Sequence, residues 1–273
     1  MFQVETIDSL DRPALQPYRT MRRQAEHREQ GIFVAEGEKV VRRLLESQLR
    51  VRSVLLPPKW LPDLEPLLLA RSEEIRVFLA EKKMLEALTG FSMYQGLLAV
   101  AEVPTIRTLE ELLEQTPRPW LWAAADTLSS AENMGALVRN CAAFNTCALL
   151  VSENCCSPFL RRAVRNSMGA IFHLPIRECV SLVQELQTLK SKGVRCIAAH
   201  PHVNGRTLPD ADFSGDVCVV FGSEGYAISA PILSLCDDAV AIPMPVAVDS
   251  LNVASAAAAF LYEASRQRGG LRH

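Results

Sequence analysis

The chain has 273 residues, 49% of them hydrophobic and 22% charged, with a formal net charge of -2. That length holds one large domain or two smaller ones, and that balance describes a globular protein rather than a disordered or fibrous one. The near-neutral total excludes a uniformly basic polyanion binder and leaves local basic patches open.

Residues 1–10 carry Glu5 and Asp8 and lack an apolar core, which argues against a leader peptide. No apolar run approaches the ~20 residues that span a bilayer, so a cytoplasmic protein is expected. Arg12 to Gln30 reads as a polar helix with Arg19, Arg22, Arg23 and Arg28, either a solvated face or a phosphate-binding patch. From Ile32 strands and helices alternate. Strands are predicted at 32–35, 51–56, 75–79 and 96–103, and helices at 38–49, 61–70 and 82–88. Pro104, Pro117 and Pro119 bracket one acidic helix, 109–115, and mark a boundary. The expected division is a smaller α/β domain at 1–105, a linker at 106–118 and a second domain at 119–273.

In the second half, strands are predicted at 120–125, 148–151, 172–175, 194–199, 217–221 and 239–242. Helices are predicted at 134–144, 159–166, 182–192 and 250–266. These strands are apolar with little alternation, the pattern of a parallel sheet covered on both faces. The fold class is therefore α/β. All eight cysteines lie at or after Cys141, without CxxC or zinc-finger spacing, and read as reduced packing thiols. The histidines His27, His173, His200, His202 and His273 are scattered, so no metal is expected.

Ligands of open α/β sheets bind beyond the carboxyl ends of the strands. Three polar loops follow strands here. Asp126 to Ser130 runs into a helix carrying Asn133 and Arg139, where the arginine is either a structural ion pair or a phosphate clamp. Gly222-Ser223-Glu224-Gly225 is either a tight turn or a close approach to a ligand, and it lacks the spacing of a dinucleotide or P-loop motif. Ile242-Pro243-Met244, followed by Ser250-Leu251-Asn252 and a run of alanines, is either an ordinary capped helix or the wall of a site.

At these loops the chain resembles the SpoU/TrmH family of RNA ribose 2'-O-methyltransferases. Asn133, Gly135 and Arg139 are similar to that family's first motif. Gly222, Glu224 and Gly225 are similar to its second. Ile242, Pro243, Met244, Ser250, Leu251, Asn252 and Val253 are similar to its third. Arg165-Asn166-Ser167-Met168-Gly169-Ala170 also resembles the family. Phe33-Val34-Ala35-Glu36-Gly37 and Gln95-Gly96 resemble its substrate-binding domain more loosely. Two positions depart from the pattern: Asn145 stands where a glycine is usual, and Val248-Asp249 replaces a less charged loop.

The resemblance implies a C-terminal trefoil-knotted methyltransferase domain, a homodimer built on it, and S-adenosylmethionine as cofactor. Ala199, Gly222, Ile242, Met244 and Leu251 would hold the cofactor. Arg139 would orient the reacting hydroxyl, with Asn133, Glu224, Ser250 and Asn252 as its partners. RNA would arrive along Arg19, Arg22, Arg23 and Arg28 and along Arg161, Arg162 and Arg165. Ribosomal RNA is expected over transfer RNA, because the N-terminal half is similar to that of ribosomal members. The alternatives are a transfer-RNA methyltransferase, a non-catalytic RNA-binding protein that kept the fold, and a small-molecule methyltransferase. The three motifs stand intact against the second, and the N-terminal domain against the third.

Overall fold

The computed structural model describes residues 2–89, 96–201, 206–223, 227–245, 247 and 249–269. Gln95, His202, Glu224, Gly225, Val248 and His273 lie outside the described residues. Two compact units are present. One comprises residues 1–105 together with 159–172, and the other residues 106–158 together with 173–273.

In the first unit the strands are β1 (Phe2–Thr6), β2 (Ile32–Glu36), β3 (Val51–Leu56), β4 (Ile75–Leu79) and β5 (Leu98–Glu102). They form a sheet in the order β1-β4-β3-β5-β2, parallel among β1, β4 and β3 and antiparallel at β5. β1 escapes the periodicity because Phe2-Gln3-Val4-Glu5-Thr6 is short and half polar; it is an edge strand that pairs on one side only. The expected long helix over 12–30 is instead a 3-10 turn and two short helices, α1 (Gln16–Arg19) and α2 (Gln24–Glu29). Pro13 and Pro17 each remove a backbone donor from that stretch, which breaks a continuous helix. The helices α3 (Glu38–Glu46), α4 (Leu61–Leu69) and α5 (Lys82–Thr89) follow their apolar spacing, as in α3, where Val40, Val41, Leu44 and Leu45 are buried.

The stretch expected as a linker holds α6 (Leu109–Gln115), and this helix packs into the core of the second unit through Leu109, Leu112 and Leu113. Thr108 and Glu111 close a capping box at its start, satisfying two amides reciprocally. The second unit continues with β6 (Leu121–Ala125), α7 (Ala131–Ala143) and β7 (Leu149–Val151). α8 (Arg161–Asn166) belongs to the first unit. There follow β8 (Ile176–Glu178), α9 (Leu182–Ser191), β9 (Arg195–Ala199), β10 (Arg206–Thr207), β11 (Val217–Phe221), α10 (Ala230–Leu233), β12 (Asp238–Ala241) and α11 (Val253–Gln267). Phe172 to Pro175 is expected as a strand, but Phe172 ends a 3-10 turn (Ala170–Phe172) and the strand begins only at Ile176.

All seven strands of the second unit are parallel, in the order β10-β12-β9-β11-β6-β7-β8. β6, β7 and β11 are buried along their whole length, as strands covered on both faces must be. Asn145 follows α7 with φ 55°, a left-handed conformation that asparagine tolerates, so the turn survives the departure from glycine. All eight cysteines are free thiols. Burial pushes Cys141, Cys179 and Cys196 up to about 12, so these thiols stay neutral at physiological pH.

Candidate active site

Adjacent parallel strands bring four loop starts to one edge of the sheet. Phe221 at the end of β11 registers against Ala125 of β6 on one side and Ala199 of β9 on the other, and Val240 of β12 registers against Ala199. Asp126, His200, Gly222 and Ile242 therefore leave the sheet together. Beyond them lies a cavity of about 320 Å³. Ala199, Gly222, Ile242, Met244 and Leu251, the five residues expected to hold a cofactor, all line it. Ser250 lines it as well, and so does Asp249, which had no place in the sequence reading.

Gly222 is required by close chain approach. A Cβ there would stand 2.3 Å from the carbonyl carbon of Ala227, a distance that no side chain tolerates. Nearby, Asp126 is 1% exposed. One Asp126 oxygen accepts from Ser152 Oγ at 3.0 Å and the other from the Ser229 amide at 2.8 Å. Thr127, with φ 59°, donates its hydroxyl to the Ala227 carbonyl at 2.8 Å. Ala227 and Ile228 are part of the cavity wall, so Asp126 and Thr127 shape that wall without lining it. The sequence signal for them was a lone acid and a hydroxyl directly after an apolar strand.

α7 starts three residues earlier than its apolar pattern suggested, because Ser130 is the cap and accepts from the Asn133 amide at 3.2 Å. Asn133 is thereby inside the first turn. α11 is capped by Asn252, whose Oδ1 accepts from the Ala254 amide at 2.9 Å. The two helices run side by side in the same direction. Asn133 Oδ1 accepts from Asn252 Nδ2 at 3.0 Å, Asn140 Nδ2 donates to the Ala254 carbonyl at 2.6 Å, and Phe144 meets Tyr262 edge-on with centroids 6.2 Å apart. The alanine run of α11 allows this closeness; Ala257 is fully buried, and Phe260 packs on Phe213 and Phe221.

Arg139 is exposed on α7 and does not line the cavity. Among the described residues it has no ion-pair partner, so the structural alternative raised by the sequence finds no acid there. Glu224 lies outside the described residues. No group of His, Cys, Asp and Glu that could hold a metal ion occurs among the described residues.

Residues 121–262, more than half of the chain, match the SpoU rRNA methylase family model. An uncharacterized tRNA/rRNA methyltransferase of Mycobacterium bovis is 31% identical over 238 residues, 86% of this chain and 81% of the relative. The chain belongs to the SpoU rRNA methylase family. Among solved structures it is similar to the SpoU methyltransferase AviRb from Streptomyces viridochromogenes, with 26% identity, a TM-score of 0.79, and coverage of 93% of this chain and 96% of that one. It is similar also to an RNA 2'-O ribose methyltransferase, with 28% identity, a TM-score of 0.79, and coverage of 97% and 99%.

The arginines expected to meet RNA fare unequally in this SpoU methylase. Arg19 pairs with Asp11 at 3.3 Å and Arg23 with Glu26 at 2.9 Å, acids that lower the net charge of that patch. Arg22 and Arg28 are exposed. Arg161 is largely buried in an ion pair with Glu36, whereas Arg162 and Arg165 are exposed. No helix among the described residues is long and apolar enough to cross a membrane.

Proposed function

We propose that this protein transfers a methyl group from S-adenosylmethionine to a ribose 2'-hydroxyl of structured RNA. The observation that carries the reading is the convergence of the three motif loops. Ala199, Gly222, Ile242, Met244, Ser250 and Leu251 wall one cavity, and the Asn133–Asn252 pair closes the adjoining helix starts. The similarity to an RNA 2'-O ribose methyltransferase supports the choice of the ribose hydroxyl.

The cavity suits this cofactor. Phe221, Ile228, Val240, Ile242 and Phe260 offer apolar surface for a flat purine, and Ser223, Ser250 and Asp249 offer polar groups for a charged tail. When bound, the cofactor supplies a methyl group activated on a sulfonium. The protein's part is to position the hydroxyl, exclude water and stabilise charge. Positioning contributes up to ~7–11 kcal/mol in favourable cases. The role of Arg139 is to hold the hydroxyl and an adjacent phosphate through its guanidinium donors and to stabilise the developing alkoxide. Ser250 offers a hydroxyl at the cavity wall, and the resemblance alone assigns Glu224 as Arg139's orienting partner. The Asn133–Asn252 bond keeps the Arg139 helix in register with the third motif.

The path of the C-terminal segment supports a trefoil knot. β12 lies beyond β9, yet α11 packs against α7 and β11, so the chain recrosses β9 after leaving β12. Tyr262, 58% exposed at the end of the α7–α11 pair, supports a homodimer through this domain. The first unit, residues 1–105 with 159–172, serves as the RNA-binding domain and the second, 106–158 with 173–273, as the methyltransferase domain, in the cytoplasm, with ribosomal RNA as the favoured substrate. Mapping ribose methylation across total RNA with and without the protein tests this. A site lost from ribosomal RNA is expected. A site lost from transfer RNA reassigns the substrate, and no lost site contradicts the catalytic reading.

A further inference from the structure

Two sequence motifs that the cavity leaves unused meet in the first unit. Phe33 to Glu36 lies in β2, and Arg165 to Ala170 follows in the segment 159–172. The Phe33 ring packs on Phe159 at 5.5 Å and on Phe172 at 5.9 Å between centroids. Arg43 donates from Nη1 to the Met168 carbonyl. Gly169, at φ +86°, sits so close that a Cβ would stand 2.8 Å from Cδ of Arg43.

At the centre is Glu36, whose side chain is 5% exposed. Its Oε2 accepts from Arg161 Nη1, and its Oε1 accepts from Arg165 Nη1 at 3.0 Å. The two arginines differ in a decisive way: the Arg161 side chain is 11% exposed and the Arg165 side chain 56%. One buried carboxylate needs one cation for neutrality. Arg161 supplies it, and Arg165 remains as a surplus positive charge that faces solvent. The segment 159–172 contains three arginines and no acid, and exposed Arg43 stands beside it.

A guanidinium tethered through one nitrogen keeps its remaining donors for a planar contact with phosphate. Fixing it beforehand lowers the ordering cost of that contact. We propose that Arg165 and Arg43 form a phosphate contact for RNA on the first unit, and that Glu36 is the positioning residue that holds Arg165 in place. The proposal rests on the reading of RNA as substrate.

The test is binding of a fluorescein-labelled RNA hairpin across a potassium chloride series, without cofactor. Arg165→Gln is expected to weaken binding roughly three- to tenfold and to lower the slope of log K against log salt by about 0.9, one phosphate contact on a duplex. Calorimetric binding of S-adenosylmethionine is expected to stay unchanged. Glu36→Asp keeps the charge balance and retracts the carboxylate, so it is expected to weaken hairpin binding in the wild-type background and to add nothing in Arg165→Gln. An unchanged slope in Arg165→Gln, or additive losses in the double variant, overturns the proposal alone. A wild-type protein that does not bind the hairpin overturns both this proposal and the RNA reading.

Discussion

Asn252 caps α11 with its Oδ1 and, with the amide so oriented, donates from Nδ2 to Oδ1 of Asn133 at 3.0 Å. One side chain thus starts one helix and ties it to the start of another, joining the first and third motifs. Replacing Asn252 by Ala removes both bonds. A lost cap costs about 1 kcal/mol, whereas Asn133→Ala removes the tie and leaves the Asn252 cap in place. In urea unfolding, the double variant is expected to be less destabilised than the sum of the singles, by about 0.5 kcal/mol or more. Strict additivity would show that the tie contributes nothing.

Gly222→Ala places a methyl against the Ala227 backbone. The chain cannot yield there without moving Ala227 and Ile228, which wall the cavity. A destabilisation of roughly 1–3 kcal/mol is expected, with a clear loss of S-adenosylmethionine affinity in calorimetry. Wild-type affinity in a folded Gly222→Ala protein would separate this turn from the cofactor.

Asp249 is exposed and lines the cavity. Its carboxylate complements a cofactor carrying positive charge. Asp249→Asn is expected to weaken S-adenosylmethionine binding by up to about fivefold, the range of an exposed ion pair worth up to ~1 kcal/mol, and to do so less at high salt. Equal affinity at low salt would assign Asp249 elsewhere.

His27 is buried, with Nε2 3.2 Å from the Thr20 hydroxyl. Burial holds its pKa below the ordinary 6.5, against the Pro17 backbone contact and nearby Glu26, which both raise it. The unfolded chain therefore binds the proton more readily than the folded one. Stability is full above about pH 6.5 and declines as the pH falls below that value toward the folded-state pKa. Urea unfolding at pH 7.5 and 5.5 should show this decline, and His27→Gln should reduce it. An unchanged decline in His27→Gln would place its origin in other groups.

Much of the second unit was legible because its strands are short apolar runs closed by polar loops, and parallel pairing then gathers those loops at one edge. Gly222 and Ile242 stand at two of those loops, and Ala199 enters only through the resemblance; all three line the cavity. Asp126 was not singled out, since its importance comes from Ser152 and Ser229, which are distant in sequence. Arg161 read as a surface cation because nothing in its neighbourhood announces Glu36, which lies 125 residues away. Over 12–30 the charge pattern suggests one helix, and Pro13 and Pro17 break it into short pieces.

The most direct test of the central claim is nucleoside mass spectrometry of RNA incubated with the protein and methyl-labelled S-adenosylmethionine. The label is expected on a ribose 2'-oxygen. Arg139→Ala is expected to abolish it by about two orders of magnitude or more, the scale of losing one charge-stabilising donor, while calorimetric cofactor binding is retained. Label on a base, or undiminished ribose labelling by Arg139→Ala, would contradict the account.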